Sequence, residues 1–181
     1  MPITDSVAQS TSAFPALDTV RVEYNKLATW VSYIGLNGLA STTVAATPAV
    51  TIATDTAKVK TTNATVLRNA GALNALAASD DFWTLTGGVL AASSFRRYLL
   101  LCSDADAASV LASDDSTVDA ASCRWATLPA NGLAIVGILT VATAAATTFT
   151  PGTTALSAAG VTDTYVDGYD ISVPPMSIVT P

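Results

Sequence analysis

The chain has 181 residues and a mass of 18.3 kDa, which is room for one domain with a real core plus an arm or tail. Half of the residues are apolar and only 12% are charged; the net charge is −6, the isoelectric point about 4.2 and the mean hydropathy +0.46. That balance is the reverse of the disordered signature, and eight scattered basic residues without a stripe argue against a nucleic-acid partner.

In chain order, residues 1–14 are small, polar and aperiodic, and are expected to form an extended N-terminal arm. Met1-Pro2-Ile3-Thr4-Asp5-Ser6 has no basic region followed by an apolar run, so no signal peptide is expected. From Pro15 the pattern changes. Leu17, Val20, Tyr24, Leu27, Val31 and Ile34 recur at spacings of three and four, the a/d seam of an amphipathic helix over residues 15–37. Pro15 suits its first turn, and Gly35 and Gly38 suit its end. Residues 19–24 also alternate as a strand would, but the longer pattern favours helix. With fewer than three heptads, the seam is expected to pack on the domain or on symmetry mates rather than to form a free coiled coil, and its six residues are the candidate partner-binding site, a contact with a second protein or with another subunit.

Residues 38–57, rich in Thr and Ala around Pro48, read as a linker, with short strand candidates at 49–53 and 57–67. A β-rich domain is expected over residues 58–181. Asn69-Ala70-Gly71 interrupts the chain, and residues 80–86 alternate toward Gly87-Gly88, which reads as a hairpin returning through Val89 and Leu90. Residues 95–102 form a strong strand, with a turn at 104–107 and a return strand at 109–112.

Residues 133–141 carry large side chains on both parities, Leu133, Ile135, Leu139 and Val141 on one and Val136 and Ile138 on the other. Turns at Pro129-Ala130-Asn131-Gly132 and at Thr150-Pro151-Gly152-Thr153 punctuate it as a central β-strand. It is too short and too interrupted for a membrane span. No residue from Trp125 to Thr162 is charged, a stretch that other layers or other subunits must cover. The fold class is therefore mainly β: an antiparallel β-sandwich, jelly-roll-like, with an N-terminal arm and one amphipathic helix.

Chemistry-bearing constellations are scarce. With no histidine, the usual general base is missing, and adjacent carboxylates such as Asp80-Asp81 and Asp114-Asp115 point to opposite faces of a strand and fit solvated turns better. Asp104, Asp106 and Asp115 echo a calcium loop, but Ala108 and Ser109 replace an oxygen ligand and the required glycine. Gly87-Gly88 lacks the Lys and helix of a phosphate loop. Cys102 and Cys123 are too few for a metal site and read as reduced and buried, with one disulfide as the other reading. Trp30, Trp83, Trp125, Tyr165 and Tyr169 could stack on sugars or anchor the core. No catalytic residue, cofactor or metal is expected.

Tyr98-Leu99-Leu100-Leu101, Leu128-Pro129-Ala130, the run 134–141, Thr148-Phe149-Thr150-Pro151-Gly152-Thr153-Thr154-Ala155-Leu156 and residues 158–165 together resemble a module of tailed-bacteriophage virion proteins. The resemblance covers about residues 83–168. Among such proteins the chain is most similar to a capsid decoration, or cement, protein. This implies a β-rich, often trimeric, non-enzymatic virion protein made in the host cytoplasm, whose partners are the major capsid protein and itself, not nucleic acid or a membrane. On this expectation the uncharged run makes the β-domain the trimer core and the helix reaches the shell. A head-fibre or tail-fibre domain that binds a host receptor or glycan is the alternative.

Overall fold

A computed structural model describes residues 15–42 and 49–168. The expected arm at 1–14 and Tyr169 lie outside the described residues. The helix α1 spans Pro15–Leu36, as the three-and-four spacing predicts. It is followed by β1 (Gly38–Thr42), β2 (Val50–Ile52), β3 (Lys58–Thr61), β4 (Thr65–Asn69) and β5 (Ala72–Leu76). Then come β6 (Ser79–Thr84), β7 (Phe95–Cys102), β8 (Ala108–Ser116), β9 (Ala134–Thr143) and β10 (Val161–Asp167). No helix among the described residues is long and apolar enough to cross a membrane.

The strands form two packed sheets, a β-sandwich with one helix. The larger sheet runs β5-β4-β1-β9-β7-β8 with β10 also on β9, and the smaller runs β2-β3-β6. Seven strands face three, where a jelly roll stacks two comparable sheets, and the β1–β9 step is parallel. The expected linker at 38–57 is thus corrected. β1 lies between β4 and β9 inside the large sheet, and β2 edges the small one. Small side chains conceal β1 in the sequence, where Leu39 is buried without any apolar alternation around it; β2 falls within the strand candidate at 49–53, and Ala49 and Val50 are fully buried.

β9 is the central strand, buried on both faces. Its faces do not keep simple alternation. Leu100 pairs with Gly137 while Leu101 pairs with Ile135, so one residue bulges and the parity flips. Val136, Leu139 and Val141 therefore face the small sheet, and Ile135 and Ile138 face the layer beneath the helix. Gly137 sits at the flip because a Cβ there would come within 2.9 Å of Val50 Cγ2 and 3.0 Å of the Val166 carbonyl oxygen. Within the uncharged run, β9 is covered by the chain itself: by β7 and β10 at its strand edges, by the small sheet on one face and by Trp30, Tyr33 and Trp125 on the other, while small residues such as Ala144, Ala145 and Ala146 are exposed.

Two local expectations divide. The β7–β8 hairpin forms, its turn held by the Ser103 hydroxyl accepting from the backbone N–H groups of Ala105 and Ala107. The hairpin expected at Gly87-Gly88 does not. β6 pairs instead with β3, placing Trp83 opposite Val59, and Leu90 bridges to Phe149. Trp83 is fully buried between the sheets, and its indole N–H reaches the Leu101 carbonyl at 2.8 Å, which draws β6 away from a local return.

Candidate functional site

The buried aromatic and thiol side chains among the described residues serve packing. Trp30, Trp83 and Trp125 are 2% exposed or less and serve as core anchors, so none forms a platform for sugars. The Trp125 indole N–H donates to the Leu111 carbonyl, and Arg97 stacks over its ring at 5.1 Å. Burial pushes the Cys102 thiol up to about 12 and raises Cys123 as well, the opposite of an activated nucleophile.

The two thiols are both free and lie at opposite ends of β7. Cys102 ends the strand, whereas Cys123 Sγ contacts the carbonyl of Phe95 at its start, about 23 Å away at strand rise. That separation is beyond disulfide reach. Freshly made protein is expected to show two thiols per chain by thiol titration after unfolding and none that reacts rapidly while folded. Finding one intramolecular bridge would contradict this placement.

Carboxylates are used locally. Asp80 and Asp81 accept from the backbone N–H groups of Thr54 and Asp55, and the Thr54 contacts hold Asp80 below the usual carboxylate range. Asp114 accepts from the Arg124 N–H at 2.5 Å. Asp115 makes a two-point pair with Arg96 at 2.6 and 2.9 Å, at the far end of the β7–β8 hairpin from Asp104 and Asp106. The three calcium-loop candidates therefore do not converge. Both adjacent pairs lie in strands, β6 and β8, rather than in the expected turns. Where register shifts interrupt those strands, the backbone N–H groups of neighbouring segments become the partners of Asp80, Asp81 and Asp114.

The helix presents a different surface. Its C-terminal end is fastened to the sheet through Trp30, Tyr33 and Asn37, one face at spacings of three and four. The Trp30 and Tyr33 rings stack at 6.0 Å, and the Tyr33 hydroxyl donates to the Leu133 carbonyl in the turn before β9. Burial raises the pKa of that phenol, keeping it a neutral donor. Asn37, 1% exposed, is the junction. Its Oδ1 accepts from the N–H groups of Ala70 at 2.8 Å and Gly132 at 2.9 Å, and its Nδ2 donates to the Tyr33 carbonyl and to Asn131 Oδ1. The β4–β5 turn it holds has positive φ at both Ala70 and Gly71, the twist a two-residue hairpin requires, and the Gly71 N–H caps the Leu36 carbonyl.

The predicted seam lies on another face, about a third of a turn round the helix from Trp30 and Tyr33. Tyr24 is 68% exposed, Val31 55% and Leu27 42%. Ile34 is half-buried against the layer of Trp30 and Tyr33. Leu17 and Val20 lie on the first turns of the helix, where the backbone is described. From Arg21 to Thr29 every described side chain is exposed; burial begins at Trp30. Of the nine large apolar side chains exposed among the described residues, five are on this helix, so the helix rather than the β-domain carries the principal uncovered apolar surface. At its foot, Val31 and Ile34 open onto a groove of about 350 Å³ whose other wall includes Leu39, Arg68 and Gly168.

Reading the sequence missed the fastening face, whose signal was present as Trp30, Tyr33 and Asn37 at helical spacing. That signal is shorter than the apolar seam on the same helix. No protein-family model, no curated protein and no solved structure matches this chain.

Proposed function

We propose that this chain is a non-enzymatic decoration, or cement, protein of a tailed-bacteriophage head. It is a homo-oligomer that binds the outside of the major capsid shell and stabilises the shell by bridging its subunits. The observation that carries this reading is the contrast between an inert, closed sandwich and an apolar seam on a helix whose outer part stands clear of its own domain. Such a surface serves protein contact rather than turnover. The resemblance of residues 83–168 to phage virion modules supplies the setting, the virion surface. Burial of all three tryptophans counts against the alternative of a glycan-binding fibre domain, which needs exposed aromatic faces.

Bound protein stabilises the assembled state by mass action, by about 2.7 kcal/mol per site at a hundredfold excess over Kd. Purified protein mixed with undecorated phage shells is therefore expected to co-sediment saturably, in many copies per particle, and to raise the temperature at which shells break. Absence of co-sedimentation, or particles that lack the protein keeping their heat resistance but losing adsorption to cells, would overturn the reading.

A further inference from the structure

We infer that residues 169–173 form a strap in the groove at the foot of the helix, with the Asp170 carboxylate paired to Arg68 and with Ile171 and Val173 against the lower end of the apolar seam. This goes beyond the shell reading and stands without it.

The groove combines apolar walls with an unused cation. Val31, Ile34 and Gly35 of α1 line one side, and Gly38, Arg68 and Gly168 line the other. Arg68 stands in β4 as the register partner of Gly38, and its Nε is buried with no hydrogen-bond partner. No carboxylate among the described residues pairs with it. A buried guanidinium nitrogen without an acceptor is costly, so the groove suits an anion set beside apolar groups. Glycine makes the room. A Cβ on Gly35 would meet no atom within 4 Å, whereas one on Gly38 would come within 3.3 Å of the Ile34 carbonyl oxygen.

The path of the chain names the occupant. β10 runs antiparallel to β9, and the Gly168 N–H continues the ladder by donating to the Val136 carbonyl at 2.9 Å. The next position along β9 is Ile135, which already pairs with Gly38 of β1. The chain therefore leaves the sheet at Gly168, on the wall of the groove. Residues 169–173, Tyr-Asp-Ile-Ser-Val, alternate strictly between large apolar and polar side chains. Laid extended between the two walls, they turn Tyr169, Ile171 and Val173 toward the helix, and Asp170 and Ser172 toward Arg68. Charge agrees. Asp170 is the one charged residue from 168 to 181, and it follows Gly168 by two residues, about 7 Å of chain, which brings it within reach of Arg68. Five extended residues span about 17 Å, and Val31 lies about 5 Å along the helix from Ile34, so the strap covers the foot of the seam. Tyr24, 68% exposed, stays outward for a second protein.

The test uses the full-length chain without shells, so its failure is distinguishable from failure of shell binding. With Cys102 and Cys123 buried, an added cysteine pair reports proximity. V31C/I171C is expected to close an intrachain disulfide on mild oxidation about tenfold faster than T29C/I171C, because Thr29 lies on the opposite side of the helix and tethering alone would serve both pairs equally. D170N in the V31C/I171C chain should slow closure about fivefold, R68M should slow it as much, and the two together should add little, as one shared contact requires. G35L, which fills the groove, should slow closure as well while the sheet circular dichroism is retained. D170N alters no described residue, so it decides the question even where R68M or G35L unfolds. Equal closure at Val31 and Thr29, or closure indifferent to D170N, would overturn the inference. A V31C/I171C product that is wholly interchain would overturn it too, and would assign the groove to a second copy.

Discussion

Replacing Asn37 by alanine is expected to cost roughly 1–3 kcal/mol of unfolding free energy, since two part-buried backbone N–H groups would each lose a hydrogen bond worth about 0.5–1.5 kcal/mol. The donors are Ala70 and Gly132, on turns that flank different strands, and both converge on one amide oxygen. Domains of this size have only about 5–15 kcal/mol in hand, so the variant should unfold at clearly lower urea, followed by tryptophan fluorescence. N37D keeps the accepting oxygen and loses the donor to Asn131, so in a low-pH titration its stability should recover only in so far as the carboxylate need not be desolvated. An N37A protein within 1 kcal/mol of wild type would show that the junction does not hold the helix to the sheet.

The second large effect concerns Arg96, 6% exposed, whose guanidinium is matched by Asp115 and also donates to the Gly88 carbonyl at 2.5 Å. Its pKa is raised chiefly by the hydrogen bond to Asp115. Removing only the carboxylate in D115A leaves a buried cation without its partner. Fully buried pairs broken in this way lose about 3–5 kcal/mol; the Asp115 side chain is 40% exposed, so about 2–3 kcal/mol is expected here. R96M/D115A, which removes both charges and keeps an apolar stem, should be less destabilised than D115A alone. Denaturant unfolding of wild type, both single variants and the double variant gives the coupling directly. A double variant that loses more than D115A would mean that the Gly88 contact, not the charge pair, dominates.

Much of the architecture was legible because period and punctuation agree. The helix at Pro15–Leu36, the β7–β8 hairpin and the buried central strand each follow from a long apolar pattern bounded by Gly, Pro or Asp. Where the sequence misled, the cause is local. β1 is built from small residues whose burial depends on distant partners, so the stretch after the helix looks like a linker, whereas β2 falls within the strand candidate at 49–53. The Gly87-Gly88 hairpin was a sound local reading overridden by the tertiary demand of Trp83. The parity of β9 could not be followed through residues 133–141, because a bulge beside Gly137 reverses it and a bulge leaves no mark in composition. At the candidate site the seam was legible, but the choice between covering it with the chain's own domain and leaving it outward depends on Trp30 and Tyr33.

The connectivity of β9 has a consequence for biosynthesis. One edge of this strand waits for β10, which ends at Asp167, while its parallel partner β1 begins at Gly38, so the large sheet is joined by segments from nearly opposite ends of the described chain. At about 5–20 residues per second, a ribosome needs on the order of ten seconds to make the chain between those strands, and the exit tunnel delays their meeting further. The β7–β8 hairpin can close early by local pairing, but the layer that buries it cannot. The sheet is thus completed late, and the nascent chain spends that interval with α1 already emerged and its apolar seam accessible. At high expression, neighbouring nascent chains can meet at that helix before their sheets are finished, so yield should depend on synthesis rate as well as on final stability.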